Sequence, residues 1–198
     1  MFHIDQKFPY FSLEVYVPEK DDVSRLSSKD LLGTWAVLLF YPADFTFVCP
    51  TELADMNRLY LEFKKLKAEV VSVSTDTVYA HKAWLEVEAL LKGVKYPMAA
   101  DHNGKFSREL GIYDEENGMA QRAAFIIDPD GILRAADLVS DSIGRSAAEI
   151  LRKLKALHFV RSHPGKVCPV SWEETGVVLT PSVKKAGRVY KEYTGRKK

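Results

Sequence analysis

The chain reads as an α/β fold with a mixed central β-sheet flanked by helices, and three stretches carry that reading. Trp35 to Tyr41 is an unbroken apolar run, short enough to be a strand buried on both faces. From Leu53 onward, Met56, Tyr60, Phe63 and Leu66 recur at intervals of three or four, the spacing of a helix with one buried stripe. Two β-rich runs, Ala123 to Ile127 and Ile132 to Val139, flank Asp128-Pro129-Asp130-Gly131, a turn sequence suited to joining antiparallel strands. Alternating strands and helices followed by a hairpin make a mixed sheet.

In chain order, Ser12 to Val17 alternates polar and apolar residues like a half-buried strand, and Leu26 to Gly33 resembles a short capped helical turn. After the apolar run, Pro42 and Asp44 end the strand, and Cys49 falls at or just inside the start of the next helix, with Pro50 suited to its first turn. Glu69 to Thr75 is another strand. Asp76 offers a cap for a helix from Thr77 to Lys92 that ends towards Gly93. Tyr96 to Ala100 predicts a short strand, and Gly104 to Leu110 a short helix closed by Gly111. The last long helix runs from about Ser146 to Val160, with Ile150, Leu154 and Leu157 as its apolar stripe; His163 to Trp172 then breaks into irregular chain.

The 198 residues suit one domain with a sizeable core, and 46% hydrophobic with 28% charged residues is an ordinary globular composition. With 28 basic against 27 acidic residues, there is no general pull towards nucleic acid or an anionic membrane. The longest apolar run falls far short of the roughly 18 residues that a membrane-spanning helix needs. The first residues lack a basic start followed by an apolar core, so a cytoplasmic location is expected. There is no internal repeat or low-complexity tract.

Only two cysteines are present, Cys49 and Cys168, too few for a disulfide scaffold. In a reducing compartment they read as redox or catalytic groups, or else as two inert buried thiols. A thiol with the ordinary pKa of about 8.5 is only about 3% ionised at pH 7, and the thiolate is the nucleophile. Lowering such a pKa to about 6 takes roughly 3.4 kcal/mol, whereas a helix terminus supplies about 0.3–1. A guanidinium about 4 Å away supplies roughly 4 kcal/mol before desolvation at an effective dielectric of about 20. A nucleophilic Cys49 therefore calls for an arginine from elsewhere in the chain. Thr46 can offer a hydroxyl to the sulfur or to a substrate oxygen, or serve simply as a loop-capping hydroxyl.

Pro42-x-x-x-Thr46-x-x-Cys49 resembles the active-site loop of the peroxiredoxins. Phe45 to Glu52, Phe-Thr-Phe-Val-Cys-Pro-Thr-Glu, is similar to their typical two-cysteine, alkyl hydroperoxide reductase-like branch. Val71 to Asp76 with Ala80 to Trp84 is similar to the family's second core strand and following helix. Gln121 to Asp128 resembles its arginine-bearing strand, and Cys168-Pro169-x-x-Trp172 its resolving-cysteine segment. The resemblance spans about Phe11 to Pro181. It implies a thioredoxin-like fold with N-terminal and C-terminal extensions, divided into a peroxidase domain over residues 1–160 and an extension over 161–198 within one structural domain.

The resemblance also implies roles. Cys49 is the peroxidatic nucleophile, Arg122 the missing cation, Thr46 and Pro42 loop residues that support and shield the sulfur, Glu52 a partner that orients Arg122, and Cys168 the resolving cysteine. Hydrogen peroxide and organic hydroperoxides are the implied substrates, and thioredoxin or a flavin-dependent disulfide reductase the reductant. A homodimer, with Cys168 reaching Cys49 of the second subunit, and a decameric ring of five dimers are the implied assemblies. No cofactor is expected in the chain, because sulfur carries the redox chemistry. Members sensitive to overoxidation carry a Gly-Gly-Leu-Gly loop and a C-terminal Tyr-Phe pair. This chain has Lys92-Gly93-Val94-Lys95 and lacks the Tyr-Phe pair, so ready overoxidation is not expected. Lys184 to Lys198 holds seven basic residues against Glu192 and reads as a solvated, partly disordered tail. Two other readings stay open at this point: a metal site from Cys168, His163 and His158 with Cys49, though its spacing is poor, and an oligomeric chaperone that works without Cys49.

Overall fold

The computed structural model describes residues 2–193. It divides into two units, Met1–Ala148 and Glu149–Lys198. The first is built on a seven-stranded mixed sheet in the order β2-β1-β5-β4-β3-β8-β9. Its strands are β1 (Ser12–Val17), β2 (Asp22–Ser27), β3 (Trp35–Phe40), β4 (Ala68–Ser74), β5 (Met98–Ala100), β8 (Arg122–Ile127) and β9 (Leu133–Val139). A two-stranded hairpin, β6 (Tyr113–Asp114) with β7 (Met119–Ala120), stands apart. The three helices of this unit are α1 (Cys49–Lys65), α2 (Val78–Val87) and α3 (Lys105–Leu110).

Every residue of β3 is buried, as its continuous apolar sequence requires of a central strand. It pairs parallel with β4 and antiparallel with β8. On one side of the sheet Phe11, Phe40, Phe106 and Phe125 form an aromatic core with Val15, Leu38 and Val73. The register of β3 with β8 matters most for function, because Phe40 lies opposite Ala123. Arg122 therefore arrives beside the chain just where it leaves β3 and turns towards α1. Pairing across the sheet brings together residues that sequence separates by 73 positions.

Strand β2 was not foreseen; its pattern is mostly exposed and polar, as befits an edge strand, so alternation could not reveal it. The helical turn before β3 is a short 3₁₀ turn, Ser28–Leu31, closed by Asp30, whose carboxylate accepts from the Ser27 backbone and hydroxyl. Thr77, not Asp76, caps α2 by accepting from the Ala80 N–H. That helix stops at Val87, and Ala89–Leu91 follows as a separate 3₁₀ turn. The hairpin of β6 and β7 was missed, its two-residue strands being too short to show a period. Gly111 closes α3 in the left-handed conformation, φ 73°, as expected.

The helix α4 (Ala147–Ser162) begins at the end of the first unit and continues into the second, where it buries Ile150, Leu151 and Leu154, while Leu157 is only half-buried. Beyond it Val167 bridges Leu179, and Phe159 packs on Trp172 with ring centroids 4.9 Å apart. The tail contains two 3₁₀ turns, Val183–Lys185 and Val189–Lys191, and Lys185 pairs with Glu192 at 2.9 Å. Of the basic tail residues, Arg196, Lys197 and Lys198 lie outside the described residues.

Candidate active site

Cys49 is the first residue of α1, and Pro50, which has no N–H to leave unpaired, follows it. The residue before it, Val48, makes no side-chain cap. Its carbonyl instead accepts from the Thr51 hydroxyl at 2.6 Å, closing the first turn. Cys49 is fully buried. The Arg122 guanidinium, also buried, donates from Nη1 to Cys49 Sγ at 3.2 Å and to Glu52 Oε2 at 2.8 Å. Arg122 Nε donates to the Asp141 carbonyl at 2.7 Å, which fixes the plane of the fork. Burial works against this guanidinium, but Cys49 and Glu52 outweigh it and raise its pKa.

Glu52 lies one helical turn after Cys49 and serves a second cation that the sequence reading did not single out. Arg145 donates to Glu52 from its backbone N–H at 2.7 Å, from Nε at 2.8 Å and from Nη2 at 3.0 Å. Burial would raise the carboxyl pKa, yet Arg145 first and then Arg122 bring it below the usual value. Two buried guanidinium groups thus share one carboxylate. The neighbouring Gly144 leaves room for this arrangement, since a Cβ there would lie 3.3 Å from Val48 Cγ1 and 3.6 Å from Glu52 Cγ. A sequence signal for Arg145 existed in Gly144-Arg145-Ser146, a lone arginine just before a helix, but nothing local separates it from a surface residue.

The Thr46 hydroxyl is used within the loop. It donates to the Ala43 carbonyl at 2.9 Å and so stabilises the loop, leaving its oxygen lone pairs as acceptors. Pro42 is buried and, with Arg122, borders a cavity of about 430 Å³ also lined by Met119, Leu138 and Ser140. Cys168 is half-buried, and its thiol makes one long contact, 3.9 Å, to the Ala156 carbonyl. Burial raises its pKa, with Arg152 opposing. Both cysteines are free thiols. Among the described residues, no group of three or more His, Cys, Asp or Glu side chains is arranged to hold a metal. The ring of His163 is instead stacked on Phe159, and its Nδ1 lies 2.9 Å from the Phe159 carbonyl.

A buried cysteine at a helix N-terminus, an arginine donor on its sulfur and a carboxylate locking that arginine define a thiol-based redox centre on an α/β sheet. Comparison with known proteins is specific about which one. The AhpC/TSA family model matches residues 4–136, and the chain belongs to that family. It is 42% identical over 186 residues to alkyl hydroperoxide reductase C of Staphylococcus epidermidis, covering 94% of this chain and 98% of that protein. Identity to the Staphylococcus haemolyticus protein of the same name is 44% over the same span. Among solved structures, Enterococcus faecalis AhpC superposes with a TM-score of 0.80 at 46% identity, over 85% of this chain and all of that one. The reduced 2-Cys peroxiredoxin of Plasmodium vivax superposes with a TM-score of 0.88 at 26% identity, over 93% and 96% of the two chains. The mixed sheet with flanking helices is accordingly the thioredoxin-like fold expected from the sequence.

Proposed function

We propose that Cys49 is the peroxidatic nucleophile of a thiol peroxidase that reduces hydrogen peroxide and organic hydroperoxides to water and alcohols in antioxidant defence. The Arg122 Nη1 donor 3.2 Å from Cys49 Sγ carries this reading most directly. The thiolate attacks the terminal oxygen of the hydroperoxide. The O–O bond breaks heterolytically, and the leaving alkoxide or hydroxide takes up a proton as Cys49 becomes a sulfenic acid. Arg122, whose guanidinium stays charged and is pre-oriented by Glu52 and Asp141, stabilises charge developing along the O–O bond. Thr46 and Pro42 shape the loop that presents the sulfur.

Cys168 then attacks the sulfenic sulfur, water leaves, and a Cys49–Cys168 disulfide forms. An external dithiol, thioredoxin or a flavin-dependent disulfide reductase, restores both thiols by exchange. Residues 1–160 supply the peroxidase domain and 161–198 the extension that carries the resolving cysteine. A homodimer with exchanged extensions, assembled into a decameric ring in the cytoplasm, is the proposed working form. Its support is the open edge of β9, with Leu138 46% exposed, and Phe47 in the Cys49 loop, 95% exposed. No helix among the described residues is long and apolar enough to cross a membrane.

Treatment with one equivalent of hydrogen peroxide, followed by non-reducing electrophoresis and a peroxide-consumption assay with dithiothreitol, tests the proposal. Wild type should give a covalent dimer that neither Cys49→Ser nor Cys168→Ser gives, and Cys49→Ser should leave the peroxide unconsumed. Consumption by Cys49→Ser at the wild-type rate would overturn the peroxidase reading, whereas a monomeric but active wild type would overturn the intersubunit bond alone.

A further inference from the structure

Behind the Cys49 loop lies a second, largely buried polar cluster that the peroxide chemistry above does not use. The loop leaves β3 at Tyr41 and reaches Cys49 through Asp44, a carboxylate only 6% exposed. Tyr41 OH donates to Asp44 Oδ1 at 2.7 Å. On the other side Asp44 Oδ2 lies 2.8 Å from His81 Nδ1, on α2. The Asp44 backbone N–H donates to Asp76 Oδ2 at 2.8 Å, and Ser74 Oγ donates to the same Asp76 oxygen at 2.7 Å. His81 is completely buried, and its Nε2 lies 3.2 Å from the Ala99 carbonyl of β5. Titratable groups therefore face this point from the end of β3 (Tyr41), from the loop (Asp44), from the turn after β4 (Asp76) and from α2 (His81).

The contacts favour a particular number of protons. A backbone carbonyl only accepts, so the 3.2 Å contact to Ala99 is a hydrogen bond when Nε2 of His81 carries a hydrogen. Nδ1 and the Asp44 oxygen then need a second one between them, because a neutral imidazole facing an ionised carboxylate would set two lone pairs against each other at 2.8 Å. Burial, the largest influence on Asp44, holds its carboxyl above the usual pKa although His81 and Tyr41 pull it down. Tyr41 is held well above the ordinary tyrosine value, by burial first and Asp44 next, and so remains a donor.

We propose that His81, acting through Asp44, is a positioning residue for the Cys49 loop, and that it acts by sharing one proton with the Asp44 carboxylate. The inference rests on the peroxidase reading, since the loop it positions is the one that presents the nucleophile. What the clamp holds is a strained segment. Phe45, next after Asp44, has φ 56°, a left-handed conformation uncommon for a bulky residue, and its ring lies 6.1 Å from that of Trp84, also on α2. Thr46 follows with its hydroxyl tied back to Ala43. Anchoring Asp44 on two sides keeps Phe45 in this conformation and thereby sets the direction in which Thr46 to Cys49 leave. Displacing reacting groups by about 1 Å can cost on the order of 10²-fold in rate. Without the shared proton, two lone pairs come into contact at 2.8 Å and the loop loosens.

Asp44→Asn separates this from a plain structural role. Its amide can donate to Nδ1 of a neutral His81 while its oxygen still accepts from Tyr41, so every bond is made without a shared proton. Single-turnover oxidation of Cys49 by hydrogen peroxide, followed by residual peroxide and tryptophan fluorescence, should be compared from about pH 7 to pH 10. The rate of Asp44→Asn divided by that of wild type should rise with pH, and His81→Phe should be slower than wild type by about tenfold or more at pH 7. A ratio that stays flat with pH overturns the inference, whether or not His81→Phe folds. A wild type that leaves peroxide unconsumed would instead bring down the peroxidase reading. Independently of peroxide chemistry, nuclear magnetic resonance of ¹⁵N-histidine-labelled protein should show a far-downfield proton at His81 Nδ1 in wild type and none in Asp44→Asn; its absence from wild type would also overturn the inference.

Discussion

The surroundings of Cys49 and Cys168 differ in almost every physical respect. Around Cys49 the polar groups are buried and multiply bonded: the Glu52 carboxylate alone accepts four hydrogen bonds from Arg122 and Arg145. Around Cys168 the chain is irregular and half-exposed. Here Trp172 packs on Phe159, Arg152 Nη1 donates to the Trp172 carbonyl at 3.2 Å, and Val167 pairs with Leu179 through the backbone. A preorganised charge arrangement suits a group that must meet a transition state in one geometry. In the proposed cycle Cys168 must reach Cys49, and an irregular segment suits such movement, because regions that move are drawn from the less stable parts of a fold. The two cysteines of that cycle thus call for different local surroundings.

The largest expected effect breaks the Cys49 side. Glu52→Gln leaves two buried guanidinium groups around a neutral amide, and breaking a buried pair of this kind costs about 3–5 kcal/mol. The melting temperature should fall by on the order of 10 °C. A fall of under about 2 °C would mean that the network contributes little. Next, Arg122→Lys keeps a charge but loses the fork that touches the sulfur, Glu52 and Asp141 together. Peroxide consumption should fall by on the order of 10²-fold with little change in melting. An unaltered rate would remove Arg122 from the mechanism.

Acid sharpens the contrast without a mutation. Because the folded pKa of Glu52 lies below the unfolded value of about 4.3, its contribution is complete above that value and is lost as pH falls through the folded one. Urea midpoints of wild type and Glu52→Gln should therefore converge as pH falls below about 4.3. Parallel curves would contradict the assignment. The smallest effect belongs to the other cysteine. With Cys49 replaced by serine, Cys168 should react with iodoacetamide at pH 8 several-fold more slowly than in urea, since burial raises its pKa in the folded chain. Equal rates would show that the segment gives its thiol no protection.

Much of this could be read from the chain itself. Continuous apolar residues from Trp35 to Tyr41, helical spacing after Leu53 and the turn at Asp128–Gly131 are local patterns, and each gave its element because burial and turn geometry act over a few neighbouring residues. The Cys49 loop, the need for a distant arginine, and the choice of Arg122 were legible too, the last through family resemblance alone. Edge strand β2 was not, because solvent on its exposed side leaves no period to detect. Nor was Arg145, whose role depends on a carboxylate 93 positions earlier in the chain. Thr46 shows the limit from the other side: its residue type does not say which partner its hydroxyl takes, and the structure gives its donor to the Ala43 carbonyl.

What the sequence determined by itself is the chemical inventory and the local elements: one cysteine delivered to a helix start, a second in irregular chain, and a sheet with a central strand. Only the tertiary structure decided which charges meet. Antiparallel pairing of β3 with β8 carries Arg122 to the sulfur, the turn before α4 brings Arg145 to Glu52, and packing of α2 beside the loop encloses His81 with Asp44. The physical reason is one of range. Backbone periodicity is set by neighbours along the chain, whereas the environment of a charge is set by whatever the fold places within a few ångströms, and sequence separation says nothing about that distance.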